Sequence, residues 1–565
     1  SARQKRWNEK VDYSPDAWCL GHKNPLRGTY QELYTRDEQL DATFLLNADY
    51  TIGDNISLGG IVGYNLNQIS YSDLDSYLSG LNNPGWFSLE NGADKPVTTS
   101  EFSRKRLMGA FAQADFGYKN YFFVSASARN DWSSTLPINS NSFFYWGLNS
   151  SFVFTDCFSQ LKDLGISFLK LRAAYGKTGN DAPRYKTSSS FYPTQVGLGF
   201  GDIYLPINGI PGLTESNTLA NMNLKPEITT EWEIGLSANF LDNRIKFDGA
   251  YYDKVTKDQI ISAAVSPETG YRDRTRNVGE IGNRGIELML NVTPVKSRNV
   301  EWVIGTTFTK NWSEVLKLWD DIKEFNLASA YQVSYVAEVG KPLGQFKVPA
   351  LTYDDQGRVV VASNGFPAID NSKKETIGTS NVDFQMGFNT RISWKNLSFS
   401  AVMDWRKGGY FYCYTSQLYT FSGNSTPTVY NDRQPFIIPN SVKKNSAGDY
   451  VENDIPIRWA STYGYYNNAS NLAQYRNWVL KKDYLKVREL VISYDLPEKL
   501  CEKTKMFKGI TISAIGRNLF MWTPKENNFV DPEGTNYGND LVSEFGEFAS
   551  GPTYRTFGGS IKITF

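Results

Sequence analysis

Tyr554-Arg-Thr-Phe557-Gly-Gly-Ser-Ile561-Lys-Ile563-Thr-Phe565 ends the chain. Successive side chains of a strand point to opposite faces. Phe557, Gly559, Ile561, Ile563 and Phe565 therefore share one face, and Thr556, Gly558, Ser560, Lys562 and Thr564 the other. An apolar face set against a small or polar one, closed by an aromatic residue, is how transmembrane β-barrels finish. Phe565 reads in that light as a membrane-assembly signal. A soluble antiparallel sheet can carry the same stretch, so the pattern must recur to decide the fold.

It recurs along the chain. Trp232, Ile234, Leu236, Ala238 and Phe240 alternate with Glu231, Glu233, Gly235, Ser237 and Asn239. Ile286, Leu288, Leu290 and Val292 alternate with Glu287, Met289 and Asn291, and Phe122, Val124, Ala126 and Ala128 with Phe123, Ser125, Ser127 and Arg129. Val382, Phe384, Met386, Phe388, Ile392 and Trp394 oppose Asp383, Gln385, Gly387, Asn389, Arg391 and Ser393. The alternation template gives about 15 strands. They fall near 41–52, 55–67, 106–117, 120–130, 143–155, 166–177, 228–240, 244–255, 282–293, 301–311, 380–394, 396–406, 484–494, 510–519 and 555–565.

The connections separate a barrel from a sandwich. Gly53-Asp54, Tyr118-Lys119, Leu241-Asp242-Asn243, Pro294 to Val300 and Lys395 are short, whereas 68–105, 178–227, 256–281, 312–379, 407–483 and 520–554 are long. Only 156–165, long for a turn, and 131–142, brief for a loop, bend the rule. One rim of tight turns and one of elaborate loops is the asymmetry of outer-membrane barrels, with periplasmic turns and extracellular loops. Counting back from Phe565 puts 520–554 outside and assigns 1–40 to an extracellular loop segment preceding a barrel portion over 41–565. An odd strand count does not close a bacterial single-chain barrel, so the expectation is an all-β, antiparallel transmembrane barrel that is incomplete in itself.

Composition agrees. Aromatic residues make up 15% of the 565 residues, charges balance at 59 each, and mean hydropathy is −0.42. That combination suits a sheet with one face in lipid, one in water and aromatic girdles at both interfaces. Charge balance gives no pull toward nucleic acid, and no apolar run is long enough for a membrane helix. Ser1-Ala-Arg-Gln-Lys-Arg is polar, unlike an export signal, which is expected on a part outside this chain. Cys19, Cys157, Cys413 and Cys501 lack metal-cluster spacing and read as structural thiols or a loop disulfide. His22, the single histidine, reads as a solvated loop residue, so no His-based triad or zinc site is expected.

Arg129-Asn-Asp-Trp-Ser-Ser134, Leu169-Lys-Leu-Arg-Ala-Ala-Tyr-Gly-Lys-Thr-Gly-Asn180, Asn223-Leu-Lys-Pro-Glu227, Glu233-Ile-Gly235, Asn243-Arg-Ile245 and Tyr251-Tyr-Asp253 stand out as motifs. Thr269-Gly270, Asn277-Val-Gly279, Asn283-Arg-Gly-Ile-Glu-Leu288, Tyr484-Leu-Lys-Val-Arg488 and Gly516-Arg-Asn-Leu-Phe520 continue them. Taken in order over residues 104–565, these segments resemble SusC/RagA-type TonB-dependent transporters of Bacteroidota. Trp132 stands where the family has glycine. The resemblance implies a barrel of roughly 22 strands, so about seven strands and the plug are expected on a second polypeptide. The break falls within one extracellular loop, through proteolysis, gene fission or an incomplete chain. An open sheet cannot stand alone in lipid, because its edges leave backbone groups unpaired. The resemblance further implies a Gram-negative outer-membrane location, a SusD-like surface lipoprotein lid, energy from TonB–ExbB–ExbD through the missing part, and lipid and lipopolysaccharide around the barrel.

Nothing in the sequence supports catalysis. Asp320-Asp321 and Asp354-Asp355 read as solvated loop acids, and Gly201, Gly209 and Gly212 lack phosphate-loop spacing. No cofactor is expected. Asp531, Glu533, Asn536 and Asp540 offer hard oxygens for a structural Ca²⁺, without EF-hand spacing. The functional signal lies in loop aromatics: Trp86, Phe87, Tyr412, Tyr414, Trp459 and Tyr465 are the candidate substrate contacts, with Tyr410, Tyr419, Tyr463, Tyr466 and Trp478 nearby. Aromatic faces stack on sugar rings while polar neighbours bind hydroxyls; the same rings also serve to pack loops or contact a partner. The expected cargo is an oligosaccharide or an oligopeptide. A passive specific porin and a surface adhesin are the competing classes.

Overall fold

A computed structural model describes residues 2–11, 28–83, 85–193, 195–197, 202–204, 210–265, 267–319, 322–457, 464–467, 470–497, 500–501, 503, 506–536 and 542–565. One antiparallel sheet of sixteen strands forms the wall. In chain order these are β1 (Ala2–Val11), β2 (Thr29–Ile52), β3 (Ile56–Ser79), β4 (Val97–Tyr118), β5 (Phe122–Ser133), β6 (Ser142–Val153), β7 (Ile166–Asn180), β8 (Glu227–Phe240), β9 (Ile245–Lys257), β10 (Glu280–Lys296), β11 (Val300–Lys317), β12 (Phe384–Trp394), β13 (Leu397–Lys407), β14 (Tyr484–Asp495), β15 (Gly509–Trp522) and β16 (Thr556–Thr564). Each pairs with the next in sequence, so the wall is an uninterrupted meander. No helix among the described residues is long and apolar enough to cross a membrane.

Two expectations need correcting. The wall has sixteen strands rather than about fifteen, and residues 1–40 are not simply a loop: β1 pairs Ala2–Val11 with Thr29–Glu38, the upper part of β2. The reason is physical. At roughly 3.3 Å per residue the 24-residue strands β2 and β3 run about 80 Å, far more than an apolar band of about 25 Å requires. Their upper halves extend beyond such a band, and Arg36, Asp37 and Glu38 are polar on both faces, so they carry no hydrophobic period for sequence reading to detect. The open sheet, by contrast, agrees with the expectation. β1 covers β2 only as far as Glu38, and among the described residues β16 pairs with β15 alone.

The faces are as the alternation predicted. Trp232, Ile234 and Leu236 stand 39%, 50% and 37% exposed on the outside. Opposite them in register lie Asp253, Tyr251 and Gly249 on β9 and Tyr175, Ala173 and Leu171 on β7, with Asp253 at the upper end of the row. Large apolar side chains left bare in a continuous belt mark a lipid-facing surface. On β16, Phe557 and Ile561 align with Gly516 and Ile512 on the same outer face, and the Phe565 ring meets Phe507 edge-on at 5.5 Å.

The rims differ as expected. Between β4 and β5 the three-residue connection Lys119-Asn120-Tyr121 has φ of 52° and 67° at its first two positions, the left-handed conformations that reverse the chain in a tight hairpin. On the opposite rim, the described residues of 318–383, 408–483 and 523–555 fold together. Glu324–Ala330, Val333–Glu338, Gln345–Leu351 and Ile369–Thr379 form a four-stranded sheet. Val333, Tyr335, Phe346 and Val348 of this sheet pack with Tyr412, Tyr475, Trp478, Val479 and Phe545 from the other two loops. Tyr410–Cys413 pairs with both Val479–Lys481 and Gly546–Glu547. The three loops thus share one core and act as a single folded canopy.

Gly279 shows how tightly the loops join the wall. Its φ is +86°, and a Cβ there would lie 2.3 Å from the carbonyl oxygen of Lys317. Backbone cannot yield as a side-chain tip can, so Gly279→Ala should destabilise by about 2 kcal/mol or more. The check is the melting temperature of the purified complex, which should fall by several degrees; an unchanged value would contradict this packing.

Candidate functional site

The inner wall is organised around Arg172. Its guanidinium donates to both oxygens of Asp248 at 3.0 Å, to Glu233 at 3.2 Å and to the Ser237 hydroxyl at 3.2 Å. Arg172 lies in register with Gly235, where a Cβ would come 2.4 Å from the guanidinium carbon. This gives the Glu233-Ile-Gly235 and Leu169-to-Asn180 segments a shared physical purpose: the glycine leaves room for an arginine that ties β7, β8 and β9 together across the lumen face. Bidentate Arg–carboxylate pairing supplies direction as well as energy. The cavity beside it, about 760 Å³, has a mixed lining: Asp115, Ser125, Asn149, Lys170 and Glu233 with Phe123, Ala173 and Ala174 among others.

Higher up, further family segments become clasps. The Asn277 side chain donates to the carbonyls of Lys225 (2.8 Å) and Asp258 (2.7 Å) and accepts from the Lys225 amide (2.9 Å). Leu224 and Val278 are buried beside it, and Glu227 accepts from the Ile260 amide at 2.7 Å. In Arg129-to-Ser134, Asp131 accepts from Arg129 Nε at 2.7 Å and the Tyr145 hydroxyl at 2.8 Å. Ser133 donates to Asp181, which also pairs with Lys105, both at 2.5 Å. The Asp181 contacts tie the start of the chain after β7 to β4 and β5. Trp132, standing where the family has glycine, lies within β5 opposite Met108 on the outer face, so no turn forms there.

An ionic lock holds 523–555 to the upper wall. Lys486 pairs with Asp531 at 2.5 Å and with Glu533; Arg488 reaches Glu533 at 2.7 Å and Asp404 at 2.6 Å. Tyr484 donates to Glu533 at 2.8 Å and to Asp404 at 3.0 Å. Burial alone would raise the Glu533 pKa, but hydrogen bonds from Arg488 and Lys486 hold it down at about 2. Glu544 is lowered likewise: burial opposes, and the charges of Lys482 and Arg406 prevail. Asp531 and Glu533, expected as Ca²⁺ ligands, thus have cationic side chains as their partners, and Asn536 accepts from Phe548 N and Ser550 Oγ; Asp540 lies outside the described residues. Glu547 is fully buried and accepts from the Cys413 thiol at 3.1 Å, Thr415 N at 2.8 Å, Thr415 Oγ1 at 2.9 Å and Ser550 N at 3.1 Å. It caps the Tyr414–Phe421 helix from another loop. Burial pushes the Cys413 thiol well above its ordinary range, and Cys157 and Cys413 are free thiols. Asp354 accepts from the amides of Gln356 and Arg358 and from the Arg358 side chain, which closes a turn. Cys19, His22 and Asp320-Asp321 lie outside the described residues.

The six candidate aromatics have different placements. Tyr412 is fully buried in the canopy core, so its face is closed to any ligand and its role is packing. Tyr414 stacks on Tyr331 at 5.7 Å, with their hydroxyls 3.0 Å apart. Phe87 packs on Tyr30 beside Leu78 and Leu81, whereas Trp86, whose carbonyl accepts from the side-chain amide of the buried Asn91 at 2.6 Å, is 52% exposed. Trp459 and its neighbour Tyr463 fall outside the described residues. Trp478 is buried against Tyr475. Among the five described candidates, Tyr465 alone lines a substantial cavity, about 700 Å³, with Tyr430, Phe436, Tyr466 and Phe529 as its aromatic walls. Gln474, Asn477, Asn528, Lys525 and Glu526 supply its polar groups. The rings meet edge-on: Tyr465 with Phe436 at 5.4 Å and 86°, Tyr430 with Phe436 at 5.1 Å and 80°. Sequence reading missed Tyr430, Phe436 and Phe529. The available signal was Pro427 and Pro439, which bracket an aromatic stretch between them.

Wall, turns, loops and lumen together define an outer-membrane β-barrel wall with a folded canopy on one rim. The sequence model described as TonB dependent receptor-like, beta-barrel matches residues 3–359, more than half the chain, and the chain belongs to that family. Relatives include TonB-dependent receptor P26 of Formosa agariphila, 25% identical over 546 residues, with 91% of this chain and 52% of that protein covered. TonB-dependent receptor SusC of Bacteroides thetaiotaomicron is 26% identical over 341 residues, 56% of this chain and 32% of that protein. The fold matches the RagAB peptide transporter with a TM-score of 0.75 at 18% identity, covering 100% of this chain and 59% of that one. The chain spans about half the length of the Formosa relatives it matches.

A carboxylate whose pKa is lowered on folding stabilises fully above its ordinary value and loses that contribution as pH falls through the folded value. For Glu533 the window runs from 4.5 down to about 2. Pepsin cleavage within 523–555 should therefore stay low at pH 4.5 and rise steadily below it. In Lys486→Met it should already be high at pH 4.5; equal cleavage in the two proteins would contradict the lock.

Proposed function

We propose that this chain is the canopy-bearing wall of a TonB-dependent importer of the SusC type. Its short-turn rim faces the periplasm and its long-loop rim the cell exterior. A second polypeptide, or a further segment of the same protein, supplies the plug and the remaining strands that continue the sheet beyond β2 and β16. A SusD-like lipoprotein closes over the canopy, and TonB–ExbB–ExbD drives plug rearrangement from the periplasm. The cargo is an oligosaccharide or an oligopeptide, bound in part by the Tyr465 cavity. The observation that carries the reading is the canopy: three long loops share one core above a polar lumen, and the canopy holds an aromatic-walled cavity with amide and charged groups at its edge. A passive channel has no need of a folded roof with a ligand-sized cavity. The names of SusC and of the RagAB peptide transporter support the same class.

In cells carrying the complete complex, uptake of labelled oligosaccharide and oligopeptide pools should identify the cargo class and disappear without TonB. Tyr465→Ala with Tyr430→Ala should weaken capture of that cargo by roughly tenfold or more, as expected for removal of central aromatic contacts. Uptake that persists without TonB would contradict the importer reading.

A further inference from the structure

On β2, β3 and β4 the strand alternation that separates lipid from lumen also places three arginines on the outer face, while the inner face at that height carries four acids and one lysine, Lys105, which pairs with Asp181. The outer face is apolar from Tyr50, Leu58 and Phe116 up to Ala42, Leu66 and Met108. Tyr50 to Leu40 is ten residues, about 33 Å along the strand and about 25 Å in height at a tilt near 40°. The belt therefore spans one hydrocarbon layer. The next rows on the same face are Gln68 beside Arg106, then Ser70 between Glu38 and Arg104, then Ser72 beside Arg36. Asp37, Asp41, Asp73 and Glu101 at the same height occupy the inner face. Three guanidinium groups and one carboxylate thus stand where the belt meets the long-loop rim.

These arginines are left with donors to offer. Arg36 pairs with Glu38. Among the described residues, neither Arg104 nor Arg106 forms an ion pair: Arg106 donates to the Gln68 amide oxygen at 2.8 Å, and Arg104 lies 5.0 Å from the centre of the Phe102 ring. Elsewhere on the outer face Arg284 stands directly opposite an acid, Asp253; Arg104 and Arg106 stand opposite Ser70 and Gln68. Although it lies on the outer surface, Ser70 is only 6% exposed, as expected if the flanking long side chains fold over it. Their backbone is fixed from the next loop, since the Arg104 amide donates to the Tyr185 hydroxyl at 3.0 Å and the Arg106 amide to Ser134 Oγ at 2.9 Å.

We propose that Arg36, Arg104 and Arg106 form a binding site for the phosphate groups of a phosphorylated glycolipid of the outer leaflet. Guanidinium forks match phosphate oxygens geometrically, and the belt below seats the acyl chains. Height and charge together select a lipid-borne phosphate over a soluble one: the cluster opens sideways onto the membrane surface, and its lower edge is continuous with the apolar belt. The inference rests on the long-loop rim facing outward.

The test uses the complete complex in neutral phosphatidylcholine nanodiscs doped with bis-phosphorylated lipid A, read by native mass spectrometry. The wild-type complex should retain lipid A, and R36Q/R104Q/R106Q should retain at least ~10-fold less. The matching lysine variant should fall between the two. Dephosphorylated lipid A should not be retained, and millimolar inorganic phosphate should not displace the bound form. Equal retention by the glutamine variant, or retention of the dephosphorylated lipid, would overturn the proposal. Displacement by inorganic phosphate would overturn it in favour of a soluble anion. Labelling of Trp86→Cys by an impermeant maleimide on intact cells tests the orientation separately, and TonB-dependent uptake by the same glutamine variant tests the importer reading, which loss of lipid binding leaves standing.

Discussion

In hydrocarbon there is no water to satisfy a backbone amide, so each strand must give its N–H and C=O groups to a neighbour. Everything else in this chain follows from that pairing. A continuous meander satisfies it with the least chain, because each hairpin delivers the next partner directly. The pairing fixes the pleat, and the pleat sends alternate residues to lipid and lumen. Turns on one rim stay short because they only reverse the chain, which leaves the other rim free to carry loops with cores of their own.

The same constraint explains where charge is allowed. Arg172 can sit at membrane depth because it points inward and is matched by Asp248, Glu233 and Ser237. At the rim, where water returns, unmatched arginines can stand on the outer face and meet headgroups. Higher still, the lock among Lys486, Arg488, Asp531 and Glu533 works in a partly dried setting. Removing one member of such a network costs more than the pair contributes, because a buried charge is left behind.

How much could be read in advance divides along the membrane surface. Within the belt, Trp232 to Phe240 and Phe557 to Phe565 announce their faces outright, since only period-two apolarity survives between lipid and water. Above it the signal fades: Arg36, Asp37 and Glu38 are polar on both faces, so β1 and the start of β2 read as loop. In the canopy, Tyr412 and Tyr465 look alike as sequence, both loop aromatics among tyrosines. Burial separates them, and burial depends on Phe545 and Trp478, which arrive from distant loops. The family segments were visible as a pattern, but their physical reasons, such as Gly235 clearing space for Arg172 and Asn277 clasping Lys225, needed coordinates.

The claim on which the rest depends is that β8 crosses the membrane with its even-numbered residues in lipid. Single cysteines at 231 to 240 of the complete complex, spin-labelled and exposed in turn to oxygen and to a water-soluble nickel chelate, measure this directly. Labels at 232, 234 and 236 should be relaxed by oxygen, and those at 231, 233 and 237 by the chelate, with a period of two. Equal access of the chelate to both sets would contradict the account.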